Sequence, residues 1–266
     1  MTTSSDNPDV TPQALQTYTL LQIAAEAMFG QAHDKRAAVP GVGATAPGKV
    51  DASILTQGNS HSSKMTTEQA KQFAEEWEVV SHQPNTATGF SATLFKWKGT
   101  QDDPIRGLKA GQYVISFRST EFIEDYARDN VATNDLEVKT LGWAVGQISD
   151  MKAWWDSVKG EVGTSKVTVT GYSLGGHLAT SFYEMYGPAS IDKVYTFNGA
   201  GVGPLKDGNS LNSVIQAFRS NKADGANRGA FTDPAASILI TGTQRIPSRT
   251  SEWNLAAHKL ENLHAV

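Results

Sequence analysis

Apolar residues recur every three or four positions in three long segments of the chain, as they do on the buried face of a helix. The segments run from about Pro12 to Gly30, from Thr66 or Thr67 to about Val79, and from Leu141 to Val158. Gly30 is a suitable end for the first segment. In the second, Gln69 follows Thr66 or Thr67 as in the capping box that begins a helix. The pattern predicts three helices, each with one buried face.

Strands are predicted where β-branched and aromatic residues cluster between turn-forming residues. Phe90 to Trp97 and Gln112 to Phe117 form one such pair, which we expect to be an antiparallel hairpin at a sheet edge. A strand at 166–170, a helix at 177–186 closed by Gly-Pro, and a strand at 191–197 follow. A helix between two strands connects parallel neighbours by a right-handed crossover. The sequence therefore predicts the α/β class, with helices flanking a central, mostly parallel sheet.

Length and composition narrow the class of protein. The chain has 266 residues, which suits one large α/β domain, and we predict a single domain over 1–266. It has no cysteine, which excludes disulfides, thiolate metal sites and a cysteine nucleophile. The net charge is -4 and no basic run occurs, so we expect no nucleic-acid partner.

From the residues near the N-terminus we expect neither a cleavable leader nor a membrane-spanning segment. Residues 1–10 are polar, without the basic and apolar regions of a cleavable signal. The apolar stretch from Leu20 to Phe29 is interrupted by Gln22 and Glu26 and is too short to span a bilayer. We expect a soluble protein without a transmembrane segment. The compartment stays open, with secretion without a visible signal among the alternatives.

One short segment carries the signature of covalent catalysis. GYSLG at 171–175 lies between the strand at 166–170 and the helix that follows. A serine in so sharp a turn exposes its hydroxyl above the sheet, and Gly171 and Gly175 remove side chains that would clash there. The N–H of Leu174, at the start of the helix, can stabilise the oxyanion of an attacked acyl group. The motif predicts Ser173 as the nucleophile.

Three segments, in order, resemble the class 3 lipases of the α/β-hydrolase superfamily. VTGYSLGGHLA at 169–179 looks like the nucleophile segment of that family, and VYTFNGAGVG at 194–203 is similar to the strand and loop that follow it. VISFRST at 114–120 is similar to the strand that ends in Phe-Arg-Gly-Ser/Thr. The resemblance implies the α/β-hydrolase fold and gives Thr120 the role of an oxyanion donor. Ser119 stands here in place of the usual glycine.

The other two members of a Ser-Asp-His triad must follow Ser173, because the order along an α/β-hydrolase chain is serine, acid, histidine. Two histidines qualify beyond the motif itself, His258 and His264. The resemblance favours His258, because in that family the histidine is followed by a short apolar-patterned helix, and residues 258–263 look similar. For the acid it favours Asp233, which is followed by proline, with Asp224 as the alternative.

The resemblance implies a carboxylic ester hydrolase, and a lipase first, that acts through an acyl-enzyme without a cofactor or metal. Its substrate would be a lipid at a lipid-water interface or a smaller ester. Residues 31–65 and 121–140 are candidate lid or cap segments; 31–63 reads as an extended connection rich in Gly, Ala, Pro and Ser. Alternatives are a phospholipase A1, a thioesterase or peptidase with the same triad, and a catalytically inactive lipase-like binding module.

Overall fold

A computed structural model describes residues 10–27, 48–58, 64–86, 88–119, 138, 142–205, 209–223 and 260–263. The described helices are α1 (Pro12–Glu26), α2 (Ala52–Gln57), α3 (Thr67–Glu76), α4 (Val145–Val162), α5 (Leu174–Ser190) and α6 (Leu211–Ala223). The described strands are β1 (Gly48–Lys49), β2 (Trp77–Gln83), β3 (Ala92–Trp97), β4 (Tyr113–Phe117), β5 (Val167–Tyr172), β6 (Ile191–Phe197) and β7 (Leu260–Leu263).

The seven described strands form one sheet in which spatial order follows chain order, β1 to β7. Pairing is antiparallel from β1 to β4 and parallel from β4 to β7. The predicted α/β class is confirmed, as is the parallel unit of β5, α5 and β6. The parallel arrangement that we expected for most of the sheet holds for its second half. From β2 to β4 the strands follow one another without a helix between them, and consecutive strands joined by short connections pair antiparallel. β1 also pairs antiparallel with β2, although α2 and α3 lie between them in the chain.

Two apolar cores lie on opposite faces of the sheet, because side chains along a strand point alternately to either face. The first core joins α4, α5 and α6 to strand residues that include Leu94 and Ile115. The second joins α1, α2 and α3 to strand residues that include Phe95 and Val114. The three later helices also contact one another. Helices therefore flank the sheet on both sides, and α1 covers the face opposite α5.

Two predictions in the first half of the chain were wrong in part. The helix expected to reach about Val79 ends at Glu76, and Trp77–Gln83 is strand β2. Its Trp77 and Val79 are buried in the second core while β2 pairs with β3, so burial in the sheet prevailed over the helical pattern. The hairpin of β3 and β4 is antiparallel as expected, but it is not at an edge. It lies between β2 and β5.

Other boundaries moved by a few residues. The helix expected over Leu141 to Val158 is α4, Val145–Val162. Within the connection expected at 31–63, the described part contains β1 and the short helix α2. The predicted stop after the nucleophile helix is confirmed, since Gly187 interrupts α5 with φ +59°. The candidate lid at 121–140 lies outside the described residues except for Val138. No helix in the described ranges has the length and apolarity of a membrane span.

Candidate active site

The candidate site lies where three neighbouring parallel strands end. Phe117 at the end of β4 pairs with Gly171 of β5, and Tyr172 at the end of β5 pairs with Phe197 at the end of β6. The carboxyl ends of parallel strands meet at one edge of a sheet, and α/β proteins bind ligands at that edge. Ser173 follows Tyr172 directly and lies at the middle of it.

The backbone of Ser173 has a conformation that few residues other than glycine adopt. Its φ is +51° and its ψ is -114°, between the last residue of β5 and the first of α5. Such a conformation costs about 1–3 kcal/mol and persists only where the surroundings enforce it. The side chain is half-buried and makes no hydrogen bond that caps α5. The chain is thus bent sharply at the one residue that the motif predicts to react.

Backbone hydrogen bonds enforce this bend from three directions. The Ser173 N–H donates to the carbonyl oxygen of Phe197 at 3.0 Å. The Ser173 carbonyl oxygen accepts from the N–H groups of Ala200, at 3.0 Å, and His177, at 3.1 Å. The turn is tied to β6, to the loop after β6 and to its own helix. Movement of Ser173 would require breaking bonds on all three sides.

Close backbone approach explains the two glycines that flank Ser173. A Cβ on Gly171 would lie 2.2 Å from the carbonyl oxygen of Gly175. A Cβ on Gly175 would lie 2.4 Å from the carbonyl oxygen of Phe117 and 3.0 Å from that of Arg118. These distances are below van der Waals contact, so only glycine fits at either position. The second clash also shows that α5 begins directly against the end of β4.

Leu174, the predicted second oxyanion donor, is the first residue of α5. Its side chain is buried and packs against Ala144 and Val138. Among the described residues no hydrogen bond occupies its amide N–H. The first N–H groups of a helix lack partners within the helix, and they lie at the positive end of its dipole. The Leu174 amide can therefore donate a hydrogen bond that stabilises negative charge developing beside Ser173.

His177 is fully buried one turn after Ser173, and both of its ring nitrogens are engaged. Nε2 accepts from the Ala144 N–H at 3.0 Å, so the proton belongs on Nδ1, which lies 2.5 Å from the carbonyl oxygen of Gly201. The ring joins the loop before α4 to the loop after β6. This arrangement leaves His177 no lone pair for proton transfer and makes it a structural member of the turn.

A buried polar cluster lies behind the end of β4. Glu26 of α1 accepts from the Ser119 N–H at 2.9 Å and from Gln22 Nε2 at 2.5 Å. Arg118 is also buried and donates to the carbonyl oxygens of Ala25, at 3.0 Å, and Ala27, at 2.8 Å. Burial raises the pKa of Glu26 above its usual range, and the charge of Arg118 opposes that rise. The end of α1 is thus bonded to the two residues that follow β4.

Sequence reasoning did not assign this cluster a role. Gln22 and Glu26 were visible only as two polar residues, one helical turn apart, that interrupt an apolar stretch. On a helix such a pair lies on one face. The residues around this pair are apolar, so the pair lies on a helix that packs against a core. Polar groups buried in such a place need hydrogen-bond partners, and this was the signal in the sequence.

Several predicted site residues lie outside the described residues. These are Thr120, Asp233 and His258, together with the alternatives His264 and Asp224. Their roles remain predictions. Within the described ranges, no group of three His, Asp or Glu side chains could hold a metal ion.

The short helix expected after His258 was wrong: Leu260–Leu263 is strand β7, because it pairs with β6. This strand also bears on the choice of histidine. It pairs in parallel with β6, with Leu260 opposite Val194 and Leu263 opposite Phe197. Its carboxyl end therefore lies at the same sheet edge as Ser173, and its amino end lies toward the opposite edge. In the sequence His264 directly follows that carboxyl end, whereas His258 precedes the strand by two residues.

Comparisons of the chain with protein-family models, with curated proteins and with solved structures found no match. The resemblance to class 3 lipases therefore rests on the three segments quoted above.

Proposed function

We propose that this chain is a serine hydrolase of the α/β-hydrolase kind that cleaves carboxylic esters, with Ser173 as its nucleophile. The observation that carries the proposal is the left-handed backbone of Ser173, held between a parallel strand and a helix. A strained serine in that position is unnecessary for packing, because glycine would adopt the conformation at lower cost. A serine at this position is explained if its hydroxyl group takes part in a reaction.

The proposed reaction passes through an acyl-enzyme. A histidine takes the proton of the Ser173 hydroxyl while the oxygen attacks the ester carbonyl, and an aspartate, Asp233 by prediction, fixes the histidine tautomer. The Leu174 N–H and Thr120 stabilise the oxyanion, and the alcohol leaves with the proton of the histidine. Water then attacks the acyl-enzyme while the histidine takes its proton, and Ser173 leaves with that proton as the acid is released. The reaction needs no cofactor.

The family resemblance favours His258, whereas the direction of β7 favours His264. The carboxyl end of β7 lies at the edge that carries Ser173, and His264 is the next residue in the sequence. We give more weight to the direction of β7, because a base must reach the serine hydroxyl within hydrogen-bond distance. Single His258→Ala and His264→Ala variants decide between them. Loss of ester turnover in His264→Ala alone is the expected result, and loss in His258→Ala alone would reverse the assignment.

The substrate class follows from the resemblance, which makes a lipase the first expectation. A phospholipase A1, a thioesterase, a peptidase and an inactive binding module remain as outcomes of the same assay. Release of acid from p-nitrophenyl esters of increasing chain length, triolein, phosphatidylcholine, a thioester and an amide separates the active classes. Activity on triolein above that on phosphatidylcholine is the expected pattern for a lipase.

The direct test is covalent labelling with a fluorophosphonate, which reacts with an activated serine and spares an unactivated one. The wild type should carry one label on Ser173, and Ser173→Ala should carry none. Ser157→Ala, which changes a serine on α4, is the matched control and should be labelled as the wild type is. An unlabelled wild type would reject the proposal and favour the inactive module.

A further inference from the structure

We propose that Glu26 is a positioning residue for the oxyanion site, because its carboxyl group holds Ser119 and thereby the chain that leads into Thr120. The inference rests on the proposed hydrolase function. It assigns a role to a residue of α1 that is remote in sequence from the nucleophile motif.

The contact is specific to the point where β4 ends. The Glu26 Oε1 atom accepts the Ser119 backbone N–H at 2.9 Å. Gln22 donates to the same oxygen from the preceding turn of α1. An acceptor that already receives bonds from two directions has little freedom to move, so the Ser119 amide has one defined position.

Arg118 fixes the helix that carries Glu26. Its guanidinium donates to the carbonyl oxygens of Ala25 and Ala27 at the last turn of α1, where a cation is favoured by the helix dipole. Adjacent residues of the β4 exit thus both donate to α1: Arg118 donates to its backbone carbonyls, and Ser119 donates to the Glu26 side chain. The exit of β4 and the end of α1 are coupled as one unit.

This unit touches the nucleophile helix. A Cβ on Gly175 would meet the carbonyl oxygens of Phe117 and Arg118, so the chain between β4 and Ser119 runs in contact with the first turn of α5. The exit of β4 is therefore bounded by Glu26, which holds Ser119, and by α5, which lies against the carbonyl oxygens of Phe117 and Arg118.

The decisive comparison is between two uncharged replacements of similar size. Glu26→Gln keeps an oxygen acceptor for the Ser119 N–H, whereas Glu26→Leu keeps the apolar bulk and removes the acceptor. Gln112→Ala is the matched control, since Gln112 directly precedes β4, at the end away from Ser119, and bonds Tyr18 of α1 and Thr168 of β5. It loosens α1 against the sheet without touching Ser119.

We expect Glu26→Leu to lower kcat for a p-nitrophenyl ester about tenfold or more with KM little changed, because oxyanion contacts act mainly in the transition state. Glu26→Gln and Gln112→Ala should retain most of the wild-type kcat. Glu26→Asp keeps the carboxyl group but withdraws it by one methylene from the Ser119 N–H. It serves if the leucine variant does not fold, and it should lower kcat by a smaller factor. Fluorophosphonate labelling rates should follow the same order.

The two failures are distinguishable. If the wild type is labelled at Ser173 and Glu26→Leu keeps its kcat, or if Gln112→Ala loses as much, the positioning role is overturned and the hydrolase proposal stands. If Glu26→Leu does not fold, unchanged kcat in Glu26→Asp overturns the role. If the wild type is neither labelled nor active, both proposals fail together.

Discussion

The Ser173 amide N–H donates to the carbonyl oxygen of Phe197 at 3.0 Å, so the residue that departs from β5 is still bonded to β6. This bond joins the bend to the neighbouring strand at the position where both strands end. The strained backbone of Ser173 is therefore held in place by a bond to the sheet as well as by the turn itself.

Replacement of Ser173 by glycine should stabilise the fold relative to replacement by alanine. Alanine retains the cost of a left-handed backbone, about 1–3 kcal/mol, and glycine removes it at a loss of about 0.4–1 kcal/mol in chain entropy. We expect Ser173→Gly to be more stable than Ser173→Ala by about 1 kcal/mol in urea unfolding. Equal stabilities would mean that the bend stores no strain.

A methyl group on Gly175 should damage the fold, because it would meet the carbonyl oxygens of Phe117 and Arg118. Overpacking of this kind costs about 1–3 kcal/mol, and we expect Gly175→Ala to unfold at a lower urea concentration than the wild type. Gly160 of α4 is the control, since nothing lies within 4 Å of the position that an added methyl group would take there. Gly160→Ala should stabilise the helix by about 0.5–1 kcal/mol, and a similar gain for Gly175→Ala would contradict the contact.

Loss of the His177 ring should be costly for stability. His177→Leu leaves the Ala144 N–H and the Gly201 carbonyl oxygen without their buried partner, and each such group costs about 1–3 kcal/mol. We expect a loss of roughly 3 kcal/mol in the free energy of unfolding. Ser181→Ala, one turn further along α5, removes a hydroxyl bonded to a helix carbonyl and should cost under about 1 kcal/mol. A cost for His177→Leu no larger than that control would show that the bridge is dispensable.

Stability should fall as the pH rises through the range in which Glu184 ionises. Burial raises the pKa of Glu184 in α5 from 4.5 to about 7. Between these values the folded state holds a proton that the unfolded state has released, so a rise in pH favours unfolding. Relative to Glu184→Gln, the wild type should lose about 1–2 kcal/mol from pH 4.5 to pH 7, a figure reduced for partial solvent exposure. Parallel stability curves for the two proteins over that range would refute the assignment.

Local signals in the sequence were sufficient for the central part of the fold. The strand before Ser173, the helix after it and the stop at Gly187 were predicted because β-branched residues, helical periodicity and a Gly-Pro pair each act within a few residues. The requirement for glycine at 171 and 175 was also predicted, since a sharp turn leaves no room for side chains. The structure supplied the atoms that Gly175 meets, which belong to β4 and the residue after it.

By itself the sequence determined the α/β class, the crossover that contains Ser173 and the approximate positions of α1, β3, β4 and α4, because these depend on neighbouring residues. Tertiary structure alone decided that Trp77 begins a strand, since its burial depends on the pairing of β2 with β3. It alone placed the hairpin of β3 and β4 inside the sheet. It alone joined Glu26 to Ser119 across 93 positions of the chain, a contact that exists only because α1 packs over the end of β4.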